Sequence, residues 1–298
     1  MAKSDFRELN GVILLDKAQG ESSNFVMQQV RRLFKAKKAG HTGALDPLAT
    51  GMLPICFGEA TKFSQYLLDA DKGYEVTALL GERTDTSDAD GEVVEVRPVE
   101  VTEALILAEV KKFVGEQQQT PSIYSALKYQ GKPLYYYARQ GIDVPRPTRT
   151  IHFYEIEVLK VELPYVQMRV ICSKGTYIRT LVDDLGEVLG CGAHVTQLRR
   201  IKVGDFPVEQ MMTFEQMQSY TLDELESQLL PMDIAVNDLP KLMLSDDQAK
   251  RLKLGQRFYP DTAQDMGLYR AYVSDAFIGL IEIKETGVIQ PKRLLSTS

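Results

Sequence analysis

The residue with the greatest chemical potential, Asp46, lies in a glycine-rich segment at residues 40–51 that reads GHTGALDPLATG. Glycine allows backbone conformations that other residues avoid, and Pro47 fixes the chain directly after the aspartate. The segment can therefore hold one carboxylate in a defined place. Such a carboxylate can act as a nucleophile or stabilise a developing positive charge. An Asp-Pro pair is also common in ordinary turns, and the local pattern leaves both interpretations open.

Other kinds of catalytic or metal site find little support in the sequence. There is no P-loop, no dinucleotide-binding fingerprint and no H-E-x-x-H motif. The three cysteines are scattered singly, and the C-x-x-H spacing from Cys191 to His194 lacks a second pair of ligands. An EF-hand alignment starting at Thr86 would place Arg97 at position twelve, which a calcium site would not tolerate. We therefore predict no metal site and no disulfide framework.

The elements that position Asp46 can be predicted from the spacing of apolar residues. Alternating apolar and polar side chains indicate strands, and apolar residues three or four apart indicate helices that pack on them. Strands are predicted at residues 12–15, 74–80 and 166–173, and helices from Ser22 or Ser23 to near Gly40 and at residues 176–189. We expect an α/β (α+β) fold with a mixed, largely antiparallel central sheet flanked by helices and an active cleft across the sheet.

Two further segments differ in composition from this pattern. Residues 121–150 contain five tyrosines together with prolines and basic residues, which predicts a long insertion that closes over a ligand. A helical hairpin packed by tyrosines fits the same segment. From about Asp238 onward, short alternating runs predict a small β-rich domain, preceded by an acidic linker at residues 222–240. The predicted domains are residues 1–238, with the insertion at about 122–150, and residues 239–298.

The charge of the chain is unevenly distributed. The net charge of -6 argues against a nucleic-acid partner, because phosphate binding depends on Lys and Arg. However, residues 1–204 carry 26 basic and 26 acidic side chains, whereas residues 205–298 carry 9 and 15. Residues 31–38 hold five basic side chains and no acid, and residues 117–154 hold five more with one acid. Each run alone fits a solvated helix face, but the two together, with tyrosines between the bases, favour RNA.

Five segments together carry a resemblance to a known family. They read GVILLDKAQGESSN at 11–24, GHTGALDPLATGMLP at 40–54, KGY at 72–74, SKGTYIR at 173–179 and LRR at 198–200. In this order and approximate spacing they resemble the bacterial tRNA pseudouridine-55 synthases of the TruB type, over nearly the whole chain from Asn10. The sequence departs from the family at Ala18, where a proline is usual, and at Glu21, where the residue is often apolar.

The resemblance implies that a uridine in the T-arm loop of tRNA (position 55) is isomerised to pseudouridine. The base is flipped out, the glycosidic bond is cleaved with the help of an aspartate, and the uracil is reattached through C5. Asp46 matches the family's essential aspartate, Tyr74 the tyrosine that stacks on the base, and Arg179 the arginine paired with the aspartate. The residues implied to bind substrate are His41, Tyr177, Leu198 and Lys17. No cofactor or metal is implied, because bonds are exchanged within one nucleotide.

The resemblance also implies a partner and a setting. The partner is tRNA, bound by its T-arm, and the C-terminal domain resembles the RNA-binding module called PUA. We expect a monomer without an obligatory protein partner. No apolar run is long enough to cross a membrane, and the scattered cysteines and polar N-terminus predict a cytoplasmic protein. Two alternatives stay open: a hydrolytic N-glycosylase, which would release free base, and a non-catalytic RNA-folding protein, which would not need Asp46.

Overall fold

A nine-stranded mixed sheet forms the centre of the protein in its computed structural model, which describes residues 6–125 and 127–296. The central sheet, a four-stranded sheet and two two-stranded sheets together contain all the strands of the described residues. In chain order these are β1 (Gly11–Lys17), β2 (Ala39–His41), β3 (Thr50–Phe57), β4 (Lys72–Leu80), β5 (Glu82–Thr84), β6 (Val93–Val96), β7 (Gly115–Gln119), β8 (Lys128–Tyr129), β9 (Lys132–Pro133), β10 (Arg149–Glu162), β11 (Tyr165–Cys172), β12 (Ala193–Val203), β13 (Met212–Thr213), β14 (Lys241–Met243), β15 (Gly267–Val273), β16 (Ala276–Ile283) and β17 (Ile289–Leu294).

Eight α-helices are found among the described residues. They are α1 (Ser23–Leu33), α2 (Ser64–Asp69), α3 (Glu103–Phe113), α4 (Leu134–Ala138), α5 (Ile178–Val188), α6 (Phe214–Gln218), α7 (Leu222–Ser227) and α8 (Asp246–Lys253). Three short 3-10 helices occupy Gly58–Phe63, Val208–Gln210 and Met232–Val236. In the described ranges, no helix combines the length and the apolar character that crossing a bilayer would demand.

The strand order of the central sheet is β13-β1-β3-β12-β4-β11-β10-β7, and β2 pairs with β3 at one side of this path. Strands β1 and β13 are parallel, as are β3 and β12, while the other neighbours run antiparallel. The prediction of a mixed, largely antiparallel sheet is confirmed. The parallel pair β3 and β12 brings the segment before β3, which carries Asp46, to the middle of the sheet.

Helices cover one face of this sheet through the apolar positions that the sequence pattern indicated. Val26 and Val30 of α1, Ile106 of α3, and Leu181 and Leu185 of α5 are all buried in one core with the strands. Burying such side chains stabilises the fold by roughly 1.5–3 kcal/mol each. Helix α5, which carries Arg179 in its first turn, is therefore fixed against the sheet by its apolar side chains.

The first helix is shorter than predicted. Ser22 caps it by accepting a hydrogen bond from the Phe25 backbone, but α1 ends at Leu33 and not near Gly40. Lys35 adopts a left-handed backbone with φ of 50°, which ends the helix, and residues 39–41 pair with β3 as a strand. The sequence offered no glycine at this turn, so the apolar spacing alone extended the helix too far.

The segment at residues 222–240 is not a free linker. It contains α7 and a 3-10 helix, and Leu225 and Val236 are fully buried. Val236 belongs to a second core on the other face of the sheet, which also includes Leu280 of β16, with Phe277 packed against it. The prediction of a linker is wrong because the acidic residues alternate with apolar ones that the sheet buries.

The C-terminal region is β-rich, as expected. Strands β14 to β17 form a separate four-stranded sheet in which β14 and β15 are parallel and the other pairs antiparallel. Its own core includes Leu252 of α8, Phe258 and Ile281. Tyr272 and Arg270 of this sheet also contact the Asp233 carboxylate, so polar contacts add to the shared apolar core.

The insertion is largely irregular in its described part. Its regular structure consists of α4 and of β8 and β9, which are two residues each. The side chains of Tyr135 and Tyr136 are exposed, and the Lys132 ammonium lies 4.2 Å from the centre of the Tyr136 ring. This arrangement differs from a helical hairpin packed by tyrosines and leaves aromatic and basic groups on the surface.

Candidate active site

A cavity of about 990 Å³ opens beside the segment that carries Asp46. Its walls come from residues 43–49, from β4 and β12 of the central sheet, from residues 172–179 and from both ends of the insertion. Asp46, Tyr74 and Arg179, the three predicted catalytic residues, all line it, although they are distant in sequence. The sheet therefore brings together the groups that the sequence analysis singled out.

The Asp46 loop is held by local contacts that require particular residues. The Ser23 hydroxyl accepts a hydrogen bond from the Leu45 amide at 2.7 Å and donates to the Leu45 carbonyl at 2.9 Å. Gly51 has a φ of 97°, and a Cβ at this position would lie 2.3 Å from the Arg200 carbonyl oxygen. A side chain at Gly51 would thus force β3 and β12 apart, which explains one glycine of the motif.

Arg179 holds two carboxylates at once. Its Nε lies 3.0 Å from Oδ2 of Asp46, and its Nη1 lies 3.2 Å from Oδ2 of Asp88. The same guanidinium donates to the carbonyls of Thr86 at 3.1 Å and Tyr124 at 3.4 Å. The side chains of Arg179 and Asp88 are 6% and 5% exposed, whereas that of Asp46 is 41% exposed. Asp46 is thus the carboxylate of this trio that remains open to a ligand.

The surroundings of Asp46 raise the pKa of its carboxyl group above the ordinary value. Burial by the cavity walls is the largest cause; Arg179 opposes it, while Asp88 and Asp90 add to it and Lys17 opposes it again. Arg179 favours the ionised form, but it does not reverse the effect of burial. A carboxylate with a raised pKa is a better base and nucleophile than an ordinary aspartate when ionised.

Lys17 lies behind the loop and not in the cavity. Its side chain is 1% exposed, and burial lowers its pKa to about 8. The three donors of the ammonium group are shared among four main-chain carbonyls within 3.3 Å, those of Ala18, Asp46, Pro47 and Ala49. This geometry supports a role in holding the loop backbone, where the sequence analysis predicted a contact with substrate.

The other predicted binding residues divide into two groups. Tyr177 and Leu198 line the cavity together with Tyr74, and burial raises the pKa of both tyrosines. His41 is not among the described residues that line the cavity; it lies on β2, and its Nδ1 is buried without a hydrogen-bond partner there. Burial, followed by the charge of Arg200, lowers the His41 pKa and keeps the imidazole neutral at pH 7.

Two site residues were missed by sequence reasoning. Asp88 lies in a turn that was interpreted only as acidic, and its partner Arg179 is far along the chain. Arg200 was quoted within the LRR segment without a role. It is 1% exposed, lines the cavity, and donates from Nε to the Met52 carbonyl at 2.7 Å and from Nη2 to the Gly43 carbonyl at 3.0 Å.

Metal-binding groups do not cluster in the part of the chain that the structure describes. No three His, Cys, Asp or Glu side chains there are placed to share an ion. The cysteines at 56, 172 and 191 are buried and free. The acidic turn that resembles a calcium loop instead directs Asp88 toward Arg179. The groups that line the cavity include an aspartate beside an arginine, together with two tyrosines.

Protein-family models cover most of the chain. The model for the TruB family pseudouridylate synthase N-terminal domain matches residues 31–178, and that for the tRNA pseudouridylate synthase B C-terminal domain matches residues 179–237. A third, described as pseudouridine synthase II TruB, C-terminal, matches residues 240–295.

Individual relatives agree with these models. The tRNA pseudouridine synthase B of Mannheimia succiniciproducens is 56% identical, with 97% of each chain covered, and that of Haemophilus influenzae strain PittEE is 55% identical, with 98% of this chain and 97% of the relative covered. A chain in the crystal structure of a Cbf5-Nop10-Gar1 complex is 29% identical with a TM-score of 0.71, covering 93% of this chain and 79% of that one. On this evidence the chain belongs to the TruB family of pseudouridylate synthases.

Proposed function

We propose that this protein isomerises a uridine in the T-arm loop of tRNA, at position 55, to pseudouridine. The observation that carries the proposal is the open Asp46 carboxylate, which lies 3.0 Å from Arg179 in the lining of a large cavity. The relatives named tRNA pseudouridine synthase B support tRNA as the substrate class. A cytoplasmic monomer that needs no protein partner remains our prediction.

The residues of the cavity fit the steps of this reaction. A flipped nucleotide needs an aromatic surface to replace its lost stacking, and we assign this role to Tyr74. The N1–C1′ bond then breaks. The Asp46 carboxylate, oriented by Arg179, stabilises the positive charge that develops as this bond is cleaved. After the uracil rotates, a C5–C1′ bond forms, C5 loses a proton and N1 gains one. Leu198 and Tyr177 exclude water, so that the base recombines and is not lost.

The surface around the cavity suits folded RNA. The insertion presents Tyr135 and Tyr136 beside Arg139 and Lys132, and the Arg139 guanidinium lies 5.5 Å from the centre of the Tyr135 ring. Aromatic rings can stack on unpaired bases, and the cations can contact phosphates. We propose that this insertion contacts the T-arm and that the overall negative charge of the chain, concentrated after residue 204, lies away from it.

We propose the division into a catalytic domain, residues 1–238, and an RNA-binding domain, residues 239–298. The C-terminal domain has a groove of about 570 Å³ lined by Arg251, Arg257, Lys284 and Tyr259, of which Tyr259 is 68% exposed. These groups can contact RNA phosphates and one base. Because Leu280 is buried in a core shared with the central sheet, deleting this domain would also destabilise the catalytic part. Point substitutions are therefore the cleaner test.

The double variant Arg257→Gln and Lys284→Gln should weaken tRNA affinity about three- to tenfold at constant salt, because two phosphate-binding charges are lost. Its turnover at saturating tRNA should stay at the wild-type level, since the groove is outside the cavity. Filter binding and single-turnover kinetics would measure the two effects. The variant Lys250→Gln and Lys253→Gln makes the same charge change outside the groove lining and serves as the control; equal losses in both variants would contradict a specific contact.

The function itself can be tested with an unmodified T-arm stem-loop that carries tritium at C5 of its uridines. Isomerisation at one uridine releases one tritium to water and leaves the RNA chain intact. Chromatography of the same reaction would detect free uracil, the product of a hydrolytic N-glycosylase. Tritium release without free uracil is the expected result. Binding without either product would instead favour the RNA-folding alternative.

A further inference from the structure

Arg200 is a buried cation that forms no salt bridge with a carboxylate in the part of the chain that the structure describes. In the described part of the chain its hydrogen bonds go to two main-chain carbonyls, those of Gly43 and Met52. These two carbonyls flank the loop that carries Asp46, so one guanidinium fixes both ends of that loop. Burying an arginine is unfavourable unless its donors are satisfied, and a neutral side chain could have bridged two carbonyls at a smaller desolvation penalty.

The same residue reaches Tyr74 on the neighbouring strand. Arg200 of β12 and Tyr74 of β4 are direct partners across an antiparallel pair, so their side chains lie on the same face of the sheet. Both side chains line the cavity. Burial raises the pKa of Tyr74, and the nearby charge of Arg200 opposes this effect. Arg200 also pairs with Gly51 on its other side, where the two backbones are in close contact.

Arginine has donors and no acceptor, which fixes the direction of its contact with tyrosine. In a hydrogen bond between these two side chains the Tyr74 oxygen accepts, and its own proton points elsewhere. Tyr74 and Arg200 share the wall of the cavity in which a flipped nucleotide would lie. Burial lowers the pKa values of Lys17, His41 and Lys72, and the positive charge of Arg200 adds to this effect, so that its charge acts beyond the cavity wall.

We propose that Arg200 is a positioning residue for the isomerisation: it fixes the Asp46 loop and the Tyr74 hydroxyl relative to each other and directs the hydroxyl proton into the cavity. The inference rests on the proposed function, since it concerns the alignment of two groups assigned to that reaction. It differs from a purely structural role, in which Arg200 would only anchor the loop and its effect would be independent of Tyr74.

The first test uses Tyr74→Phe, which keeps the ring and removes the hydroxyl. If the hydroxyl satisfies a buried guanidinium, its loss leaves a donor unpaired, and the melting temperature should fall by about 2–4 °C. A melting temperature equal to or above that of the wild type would overturn the proposed contact. This result does not depend on activity, so it stands even if the wild-type protein releases no tritium, the outcome that would refute the proposed function.

The second test is a double-mutant cycle of Arg200→Lys and Tyr74→Phe, read by tritium release. Lysine keeps the charge but lacks the planar fork of the guanidinium and cannot hold the same groups in the same geometry, so kcat should fall about 10- to 100-fold while RNA affinity changes less than about threefold. In the Tyr74→Phe background the same substitution should cost clearly less. An equal fold-loss in both backgrounds would show that Arg200 acts independently of Tyr74 and would overturn the proposal.

Arg199→Lys is the matched control for this cycle. Arg199 is the adjacent arginine of the same strand, is 39% exposed and forms an ion pair with Asp16 at 2.7 Å. Its substitution should change kcat less than about twofold in either background. If Arg200→Lys fails to fold, the melting temperature of Tyr74→Phe alone decides whether the contact exists.

Discussion

Replacing Asp46 with asparagine should lower tritium release by at least about 10⁴-fold while the affinity for the T-arm RNA stays within about threefold of wild type. Asparagine has the shape of aspartate and can still accept a hydrogen bond from Arg179, so the loop should keep its position. It lacks the negative charge, and a neutral amide is neither an effective nucleophile nor a counter-charge for the breaking glycosidic bond. Single-turnover kinetics with enzyme in excess would separate this loss from any change in binding.

The pH dependence of the wild-type reaction provides an independent check on the same residue. Asp46 must be ionised, and burial raises its pKa. Activity should therefore be lost as the pH falls through a value above that of an ordinary aspartate. Asp90→Asn tests this assignment, because Asp90 is exposed and contributes to the raised pKa of Asp46. Removing its negative charge should lower the pKa of Asp46, which moves the acid limb of the activity profile to lower pH and leaves the maximal rate unchanged. Residual activity above about one per cent in Asp46→Asn would exclude Asp46 as the essential carboxylate.

Much of the fold follows from short-range patterns in the sequence. Alternation in residues 74–80 and helical spacing in residues 176–189 identified β4 and α5, because the sheet buries one face of each element. The end of α1 could not be found in this way, since Lys35 adopts a left-handed conformation that its residue type does not favour. The buried role of residues 222–240 was also hidden, because it depends on apolar contacts with distant strands.

Those residues of the candidate site that lie close together in sequence could be predicted. Residues that only the fold brings together could not. The glycines and proline around Asp46 are visible in one segment. Asp88 is not, because its turn reaches Arg179 only after pairing with Val195, more than a hundred residues later. The sequence also cannot reveal that Lys17 points at main-chain carbonyls, since the path of the loop is set by tertiary contacts.

Arg179→Lys should reduce kcat about 10²- to 10³-fold, although the positive charge is kept. The guanidinium of Arg179 reaches Asp46 through Nε and Asp88 through Nη1, and it also binds the carbonyls of Thr86 and Tyr124. A lysine ammonium is a single point charge and cannot satisfy both carboxylates from one position. Asp46 would then lose alignment, and because Arg179 lowers its pKa, the acid limb of the pH profile should move further upward.

Asp88→Asn isolates the half of this network that does not face the cavity. It leaves Arg179 paired with Asp46 but removes the buried carboxylate that holds the guanidinium from the other side, so a loss of about 10- to 100-fold in kcat is expected, with little change in RNA affinity. If the two residues align Asp46 together, Arg179→Lys should lower kcat by a smaller factor in the Asp88→Asn background than in wild type.

Arg83→Lys is the control: it alters an ion-pair cluster with Asp183 outside the cavity and should leave kcat unchanged. Multiplicative losses for Arg179 and Asp88, or a comparable loss for Arg83, would mean that the substitutions act through general stability. Non-additive losses confined to Arg179 and Asp88 would instead show that the buried Asp88 holds Arg179 in the position from which it orients Asp46.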